Sequence, residues 1–100
     1  MIELAAVTGF DWDAGNERKS VDKHSVSQSE AEQVFFNDPL LLLADDVHSA
    51  NEARFHGLGK TSDNRLLHIA FTLRAGGTLI RVISARAMCA RERAAYEQAT

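Results

Sequence analysis

Apolar and polar residues alternate most regularly in the second half of the chain. Residues 65–74 are predicted to form a strand, because apolar side chains occupy every second position from Leu67 to Leu73. The adjacent glycines Gly76-Gly77 predict a hairpin turn, and residues 79–85 supply the returning strand. A shorter strand is predicted over residues 54–59, before a polar turn. This half is therefore predicted to fold as an antiparallel meander.

The first half carries helix signals instead. Residues 9–12 suit a short first strand, and residues 13–24 a mostly polar helix on the surface. Ser27 and Glu30 have the spacing of a capping box, in which each side chain accepts a hydrogen bond from the other residue's backbone N–H. They predict a second helix, which Pro39 ends because proline cannot continue the hydrogen-bond ladder.

Two further elements complete the predicted order. Residues 40–44 are a short apolar run with strand length, and residues 90–98 suit a final helix. The predicted order is β-α-α-β-β-β-β-α, a single α+β domain over residues 1–100. Its antiparallel sheet has about four main strands and two N-terminal helices on one face, and the C-terminal helix is expected to pack on that same face.

Charge divides the chain into two unlike halves. Residues 1–52 carry three basic and eleven acidic side chains, whereas residues 53–100 carry eight basic and three acidic ones. The strand period sends most basic side chains of the second half to the face opposite the core, together with two histidines. That set is Arg54, His56, His68, Arg74 and Arg81, with Arg86 where the chain leaves the sheet. Guanidinium groups gathered in this way predict an anionic ligand such as phosphate.

Composition narrows the function further. One cysteine, Cys89, excludes an internal disulfide and a cysteine-based zinc site. No apolar run approaches the roughly 20 residues of a membrane span, and the start lacks a signal-peptide pattern, so a cytoplasmic protein is expected. Asp45, Asp46 and His48 are ligand-type residues close in sequence, but they are too weak a signal to predict a metal. No cofactor is expected, because residues 57–60 lack the spacing of a phosphate-binding glycine loop.

Several short motifs, in order and at matching spacing from about residue 10 to residue 98, resemble the BrnT toxin family. They are Trp12-Asp13, Gly15-Asn16, Lys19, Lys23 to Ser27, Val34 to Pro39, Asp46 to Ser49, Glu52 to Arg54, Gly59 to Arg65, Phe71 to Arg74, Ile80 to Arg86, Glu92 and Tyr96. Ser25 stands where the family usually has glycine. The resemblance implies a RelE-like fold and a ribonuclease toxin of a type II toxin–antitoxin system, which inhibits translation and is neutralised by a BrnA-like antitoxin. Contact with DNA is then expected only through the antitoxin, and none with membranes.

Cleavage of RNA without a metal needs a base near the 2′-hydroxyl, cations on the phosphate and an acid for the leaving 5′-oxygen. His24, in the motif that resembles the family, is the preferred proton-transfer residue, and His48 beside Asp46 is the second. Lys23 can contact the phosphate or the leaving group. The predicted phosphate ligands are Arg74, Arg81 and Arg86, followed by Arg54.

Two alternatives to this enzyme stay open. One is a catalytically silent family member that acts as an antitoxin-binding and promoter-regulating subunit. Ser25 and the acidic net charge support this alternative. The other is a structural α+β domain, which explains the arginines poorly.

Overall fold

A computed structural model describes residues 4–12, 25–45 and 53–100. The strands are β1 Gly9–Phe10, β2 Leu41–Asp45, β3 Arg54–Lys60, β4 Leu66–Arg74 and β5 Leu79–Ala87. The helices are α1 Gln28–Val34 and α2 Ala90–Ala99. The predicted α+β class is confirmed. The predicted helix over residues 13–24 lies outside the described residues.

The five strands form one mixed sheet in the order β1-β5-β4-β3-β2. Strands β2 to β5 form the predicted antiparallel meander. Strand β1 runs parallel to β5, with Gly9 opposite Leu79 and Phe10 opposite Ile80. The prediction of a wholly antiparallel sheet of about four strands is therefore wrong in strand number and direction. A two-residue strand is too short to show an alternation, and its partner lies about 70 residues away in the sequence.

The main core lies between α1 and one face of the sheet. Leu67, Ile69 and Phe71 of β4 are fully buried there, as the strand period predicted. On β5 the buried residues Val82 and Ala85 are three positions apart. A β-bulge opposite Ala70 and Phe71 adds one residue to β5, and this extra residue keeps both side chains on the core face.

Helix α1 begins at the predicted capping box. The backbone N–H of Glu30 donates to Ser27 Oγ at 3.0 Å, and the N–H of Ser27 donates to Glu30 Oε1 at 3.1 Å. Arg65 joins this corner to the sheet by donating to Glu30 and to the carbonyl of Ser25 at 2.8 Å. The N–H of Ser27 and the Arg65 guanidinium lower the pKa of Glu30. Ser25 has φ of 55°, a left-handed conformation that glycine adopts at lower cost.

Helix α2 packs on the opposite face of the sheet from α1. Tyr96 and Met88 bury Leu58 of β3 in a second, smaller core, and the Tyr96 hydroxyl donates to the carbonyl of Pro39 at 2.6 Å. The expectation that all helices share one face is therefore wrong for α2. This helix is polar nearly all round, with Tyr96 as its buried residue, so its sequence gave little indication of the face it covers.

Gly59 is expected to tolerate no side chain, because β3 passes close to α1 there. A Cβ at this position would lie 2.8 Å from Val34 Cγ1 and 3.4 Å from the Val34 carbonyl. We expect Gly59→Ala to lower the free energy of unfolding by about 1–3 kcal/mol in urea titrations. Gly57→Ala is the matched control, since its Cβ meets neighbours at 3.6 Å or more. Equal losses in the two variants would contradict the steric explanation.

Candidate active site

A depression of about 380 Å³ lies between α2 and the face of the sheet opposite the main core. Its floor includes one row across three strands, in which Leu58 of β3, His68 of β4 and Arg86 of β5 are neighbours. Helix α2 forms its wall. The depression is lined by Leu43, His56, Leu58, His68, Arg86, Arg91, Glu92 and Ala95. Apolar surface and hydrogen-bonding groups therefore meet in one opening.

Two histidines and an aspartate form a hydrogen-bonded chain along this floor. Asp45 Oδ2 lies 2.8 Å from His56 Nε2, and His56 Nδ1 lies 2.9 Å from His68 Nε2. An ionised carboxylate only accepts, so we assign the proton of neutral His56 to Nε2 and leave its Nδ1 as an acceptor. His68 then donates from Nε2. Its Nδ1 carries no proton, and this buried atom has no hydrogen-bond partner among the described residues.

The second polar unit of the site is an ion pair between β5 and α2. The two terminal nitrogens of Arg86 donate to the two carboxylate oxygens of Glu92 at 2.7 and 2.8 Å. Glu92 also accepts from the backbone N–H of Cys89 at 2.9 Å. The hydrogen bonds from Arg86, followed by that of Cys89, lower the pKa of Glu92 to about 2. The same pair raises the pKa of Arg86.

His68 lies between these two units and is neutral at pH 7. Burial lowers its pKa below 6.5, and the neighbouring Arg86 guanidinium lowers it further against the opposing effect of Glu92. His68 Nε2 is 3.9 Å from Glu92 Oε2, farther than from His56. The lowered pKa of His68 agrees with the neutral tautomer assigned to it above.

The structure separates the predicted arginines into two groups. Arg54 and Arg81 flank Thr72 in one row of the sheet, and Arg81 lies 3.5 Å from Asp11. Arg86 lies in the depression, about 13 Å away at four residues along β4. Arg74 ends β4 as an exposed residue near the hairpin. Lys23, His24 and His48 lie outside the described residues.

Four residues of the site were not among the predicted site residues. The strand period predicts the face of His56 and His68 but not their contact. The sequence suggests Asp45 only as a metal ligand, and Glu92 only matches a family motif. Pairing of Lys60 with Leu66 sets the register that makes the two histidines diagonal neighbours. The polar turn between β3 and β4 was the signal that would have found the pair.

The described residues contain neither a grouped set of metal ligands nor a membrane-spanning helix. No group of three or more His, Cys, Asp or Glu side chains in residues 4–12, 25–45 and 53–100 is arranged to hold a metal ion. Within the same ranges, no helix is both long enough and apolar enough to cross a membrane.

Fold and site together define a small α+β protein with guanidinium and imidazole groups on one sheet face beneath a C-terminal helix. A family model described as ribonuclease toxin, BrnT, of type II toxin–antitoxin system matches residues 12–92, and the chain belongs to this family. The crystal structure of the Brucella abortus ribonuclease toxin BrnT is similar, with a TM-score of 0.62 and 15% sequence identity. The similarity covers 83% of this chain and 99% of that chain, and it shows a shared fold. No curated protein sequence matches the chain.

Proposed function

We propose that this chain is an endoribonuclease that cleaves RNA in the cytoplasm without a metal ion and thereby inhibits translation. In the proposed reaction the 2′-hydroxyl attacks the adjacent phosphate and leaves a 2′,3′-cyclic phosphate. The observation that carries the proposal is the depression, where Arg86 lies beside two hydrogen-bonded histidines in a member of a ribonuclease toxin family. These groups supply the charge and the proton transfer that such a reaction needs.

The two arginine groups fit different parts of one RNA strand. Arg86 is proposed to bind the scissile phosphate, with its planar fork turned from Glu92 to the phosphate oxygens. Arg54 and Arg81, two rows away on the same face, are proposed to bind phosphates farther along the strand, and Arg74 lies one row beyond them. Lys23, His24 and His48 stay candidates for phosphate binding and proton transfer.

Cleavage of a labelled RNA in EDTA tests this proposal. We expect the wild type to release products with a 2′,3′-cyclic phosphate and Arg86→Ala to be about 10²–10³ times slower, because it loses a positive charge at the phosphate. His24→Ala is expected to lose activity as well. Arg93→Ala is the matched control, since Arg93 is exposed on α2 and donates to the carbonyl of Met88.

Two results would contradict the proposal. A folded wild type that cleaves no RNA, with or without ribosomes and divalent ions, would exclude an enzyme. Cleavage that requires a divalent ion would exclude the metal-independent reaction. Thermal melts of each variant separate lost activity from lost folding.

Membership of a toxin–antitoxin family implies an antitoxin partner. We infer that a BrnA-like antitoxin covers the arginine-bearing face and replaces RNA phosphates with carboxylates. The second candidate function is a silent subunit that binds the antitoxin and regulates a promoter through it. The complete ion pairing of Arg86 by Glu92 favours this candidate, because the arginine is occupied without RNA. Induction of the toxin alone separates the two, since only the active enzyme stops growth.

A further inference from the structure

Asp45 holds His56 in the geometry of a general base. Its carboxylate is 9% exposed and accepts from His56 Nε2 at 2.8 Å, which fixes the ring and the tautomer. A carboxylate in this position also stabilises the imidazolium that forms when the ring takes a proton. The His56 side chain is 31% exposed at the depression, against 11% for His68. His56 is therefore the more accessible ring for a substrate hydroxyl.

The nitrogen that a base needs is occupied in this conformation. His56 Nδ1, which carries the lone pair, accepts the N–H of His68 at 2.9 Å. That N–H has a second acceptor nearby, since Glu92 Oε2 lies 3.9 Å from His68 Nε2. A movement of about 1 Å brings this second contact to hydrogen-bond distance. His68 can thus donate either to His56 or to Glu92.

Arg86 decides which of the two acceptors is stronger. While Arg86 donates to both oxygens of Glu92, that carboxylate is already well satisfied, and His68 donates to His56. A phosphate that binds Arg86 removes these donors from Glu92. The carboxylate then lies at 19% exposure without its main partner, and the N–H of His68 is the nearest replacement.

From this geometry we propose that His56 is the general base of the cleavage and that RNA binding frees its Nδ1 by an exchange of hydrogen-bond partners. Arg86 donates to the phosphate instead of to Glu92. Glu92 then accepts the N–H of His68, and His56 Nδ1 becomes available. This inference rests on the proposed function. His56 and Arg86 are catalytic residues in it, whereas Asp45, His68 and Glu92 are positioning residues.

The chemical step balances with these groups and water. The 2′-hydroxyl gives its proton to His56 Nδ1 while its oxygen forms a bond to phosphorus. The bond from phosphorus to the 5′-oxygen breaks, and the leaving oxygen takes a proton from water. The imidazolium of His56 then returns its proton to solvent. No oxidant, reductant or metal enters the step, and the products are a 2′,3′-cyclic phosphate and a 5′-hydroxyl.

The charges around the histidines favour this exchange. The groups that face them are Asp45 of β2, Arg54 of β3, Arg86 of β5, and Arg91 and Glu92 of α2. These three arginines exceed the two carboxylates by one positive charge when both imidazoles are neutral, which favours an anionic ligand. A bound phosphate adds negative charge and stabilises the imidazolium that His56 forms during the reaction.

Cleavage by His56→Gln, His68→Phe and the wild type tests the assignment. Glutamine keeps an N–H for Asp45 but supplies no base, so we expect His56→Gln to cleave at least 100 times more slowly. His68→Phe removes the N–H that occupies His56 Nδ1, and comparing its rate with that of His56→Gln decides which ring is the base. Arg93→Ala, exposed and outside the depression, is the control and should cleave at the wild-type rate. Added imidazole should partly restore His56→Ala, which a purely structural role does not allow. Thermal melts establish that each variant is folded.

Nitrogen NMR of the imidazoles tests the exchange without turnover. A 2′-O-methyl RNA, which lacks the attacking hydroxyl, should shift the His56 Nδ1 resonance of the wild type toward that of an imidazole nitrogen without a donor. Free Arg86→Ala should already show the shifted resonance, because its Glu92 has lost Arg86. An unchanged His56 Nδ1 resonance in both cases would overturn the partner exchange.

The outcomes distinguish failure of the His56 assignment from failure of the proposed function. A wild type that cleaves RNA together with an equally active His56→Gln would overturn the role of His56 and leave the proposed function standing. Loss of cleavage in His68→Phe with activity kept in His56→Gln would assign the base to His68 instead. A folded wild type that never cleaves would overturn both the proposed function and this inference.

Discussion

Phe71→Ala is expected to lower the free energy of unfolding by about 3–5 kcal/mol. The Phe71 side chain is fully buried at the centre of the main core. Its ring meets Phe35 edge-on at 5.0 Å between centroids and lies 5.6 Å from Phe55. The substitution removes both aromatic contacts and leaves a cavity that the surrounding strands cannot close. Because small domains are stable by only about 5–15 kcal/mol, this is a large part of the total.

Phe36→Ala is the matched control for this prediction. The same atoms are removed, but Phe36 is 77% exposed and contacts Phe10 only edge-on at 6.1 Å. We expect a loss below about 1 kcal/mol in the same urea titration. A loss in Phe71→Ala no larger than that in Phe36→Ala would show that the core between α1 and the sheet is not the main source of stability.

The sequence predicted the fold wherever a local pattern was long enough. The alternation from Leu67 to Leu73 fixed the buried face of β4, and Ser27 with Glu30 fixed the start of α1. Strand β1 has two residues, so its parallel pairing with β5 had no local signal. The face that α2 covers depends on Tyr96, whose contacts with Leu58 and Pro39 are tertiary.

The candidate site was predicted less well than the fold for a related reason. Arg86 and both histidines were placed on the right face, since a strand period needs only neighbouring residues. The hydrogen bond between Asp45 and His56 depends on the pairing of β2 with β3, which are separated by residues 46–53. The pairing of Arg86 with Glu92 needs the chain to turn from β5 into α2. The register between β2 and β3 and the turn from β5 into α2 therefore bring these groups together, and neither follows from a local sequence pattern.

Lowering the pH is expected to destabilise the protein in two steps. His68 has a pKa below 6.5 when folded, so the unfolded chain binds more protons and stability falls as the pH drops below about 6.5. Glu92 has a folded pKa of about 2 against 4.5 when unfolded. Its contribution is fully present above about pH 4.5 and is lost as the pH falls toward 2. The loss of stability that His68 causes is complete once the pH is below the folded pKa of His68.

Glu92→Gln isolates the second step, because glutamine keeps the shape of Glu92 but has no charge. We expect it to be about 1–3 kcal/mol less stable than the wild type at pH 7, below the full value of the pKa shift, since Arg86 is 36% exposed and regains water. This difference should shrink below pH 4.5 and vanish near pH 2 in urea titrations. Glu97→Gln, exposed on the same helix, is the control and should change stability little at any pH. A difference for Glu92→Gln that does not vary with pH would mean that α2 is held by the shape of Glu92 and not by its charge.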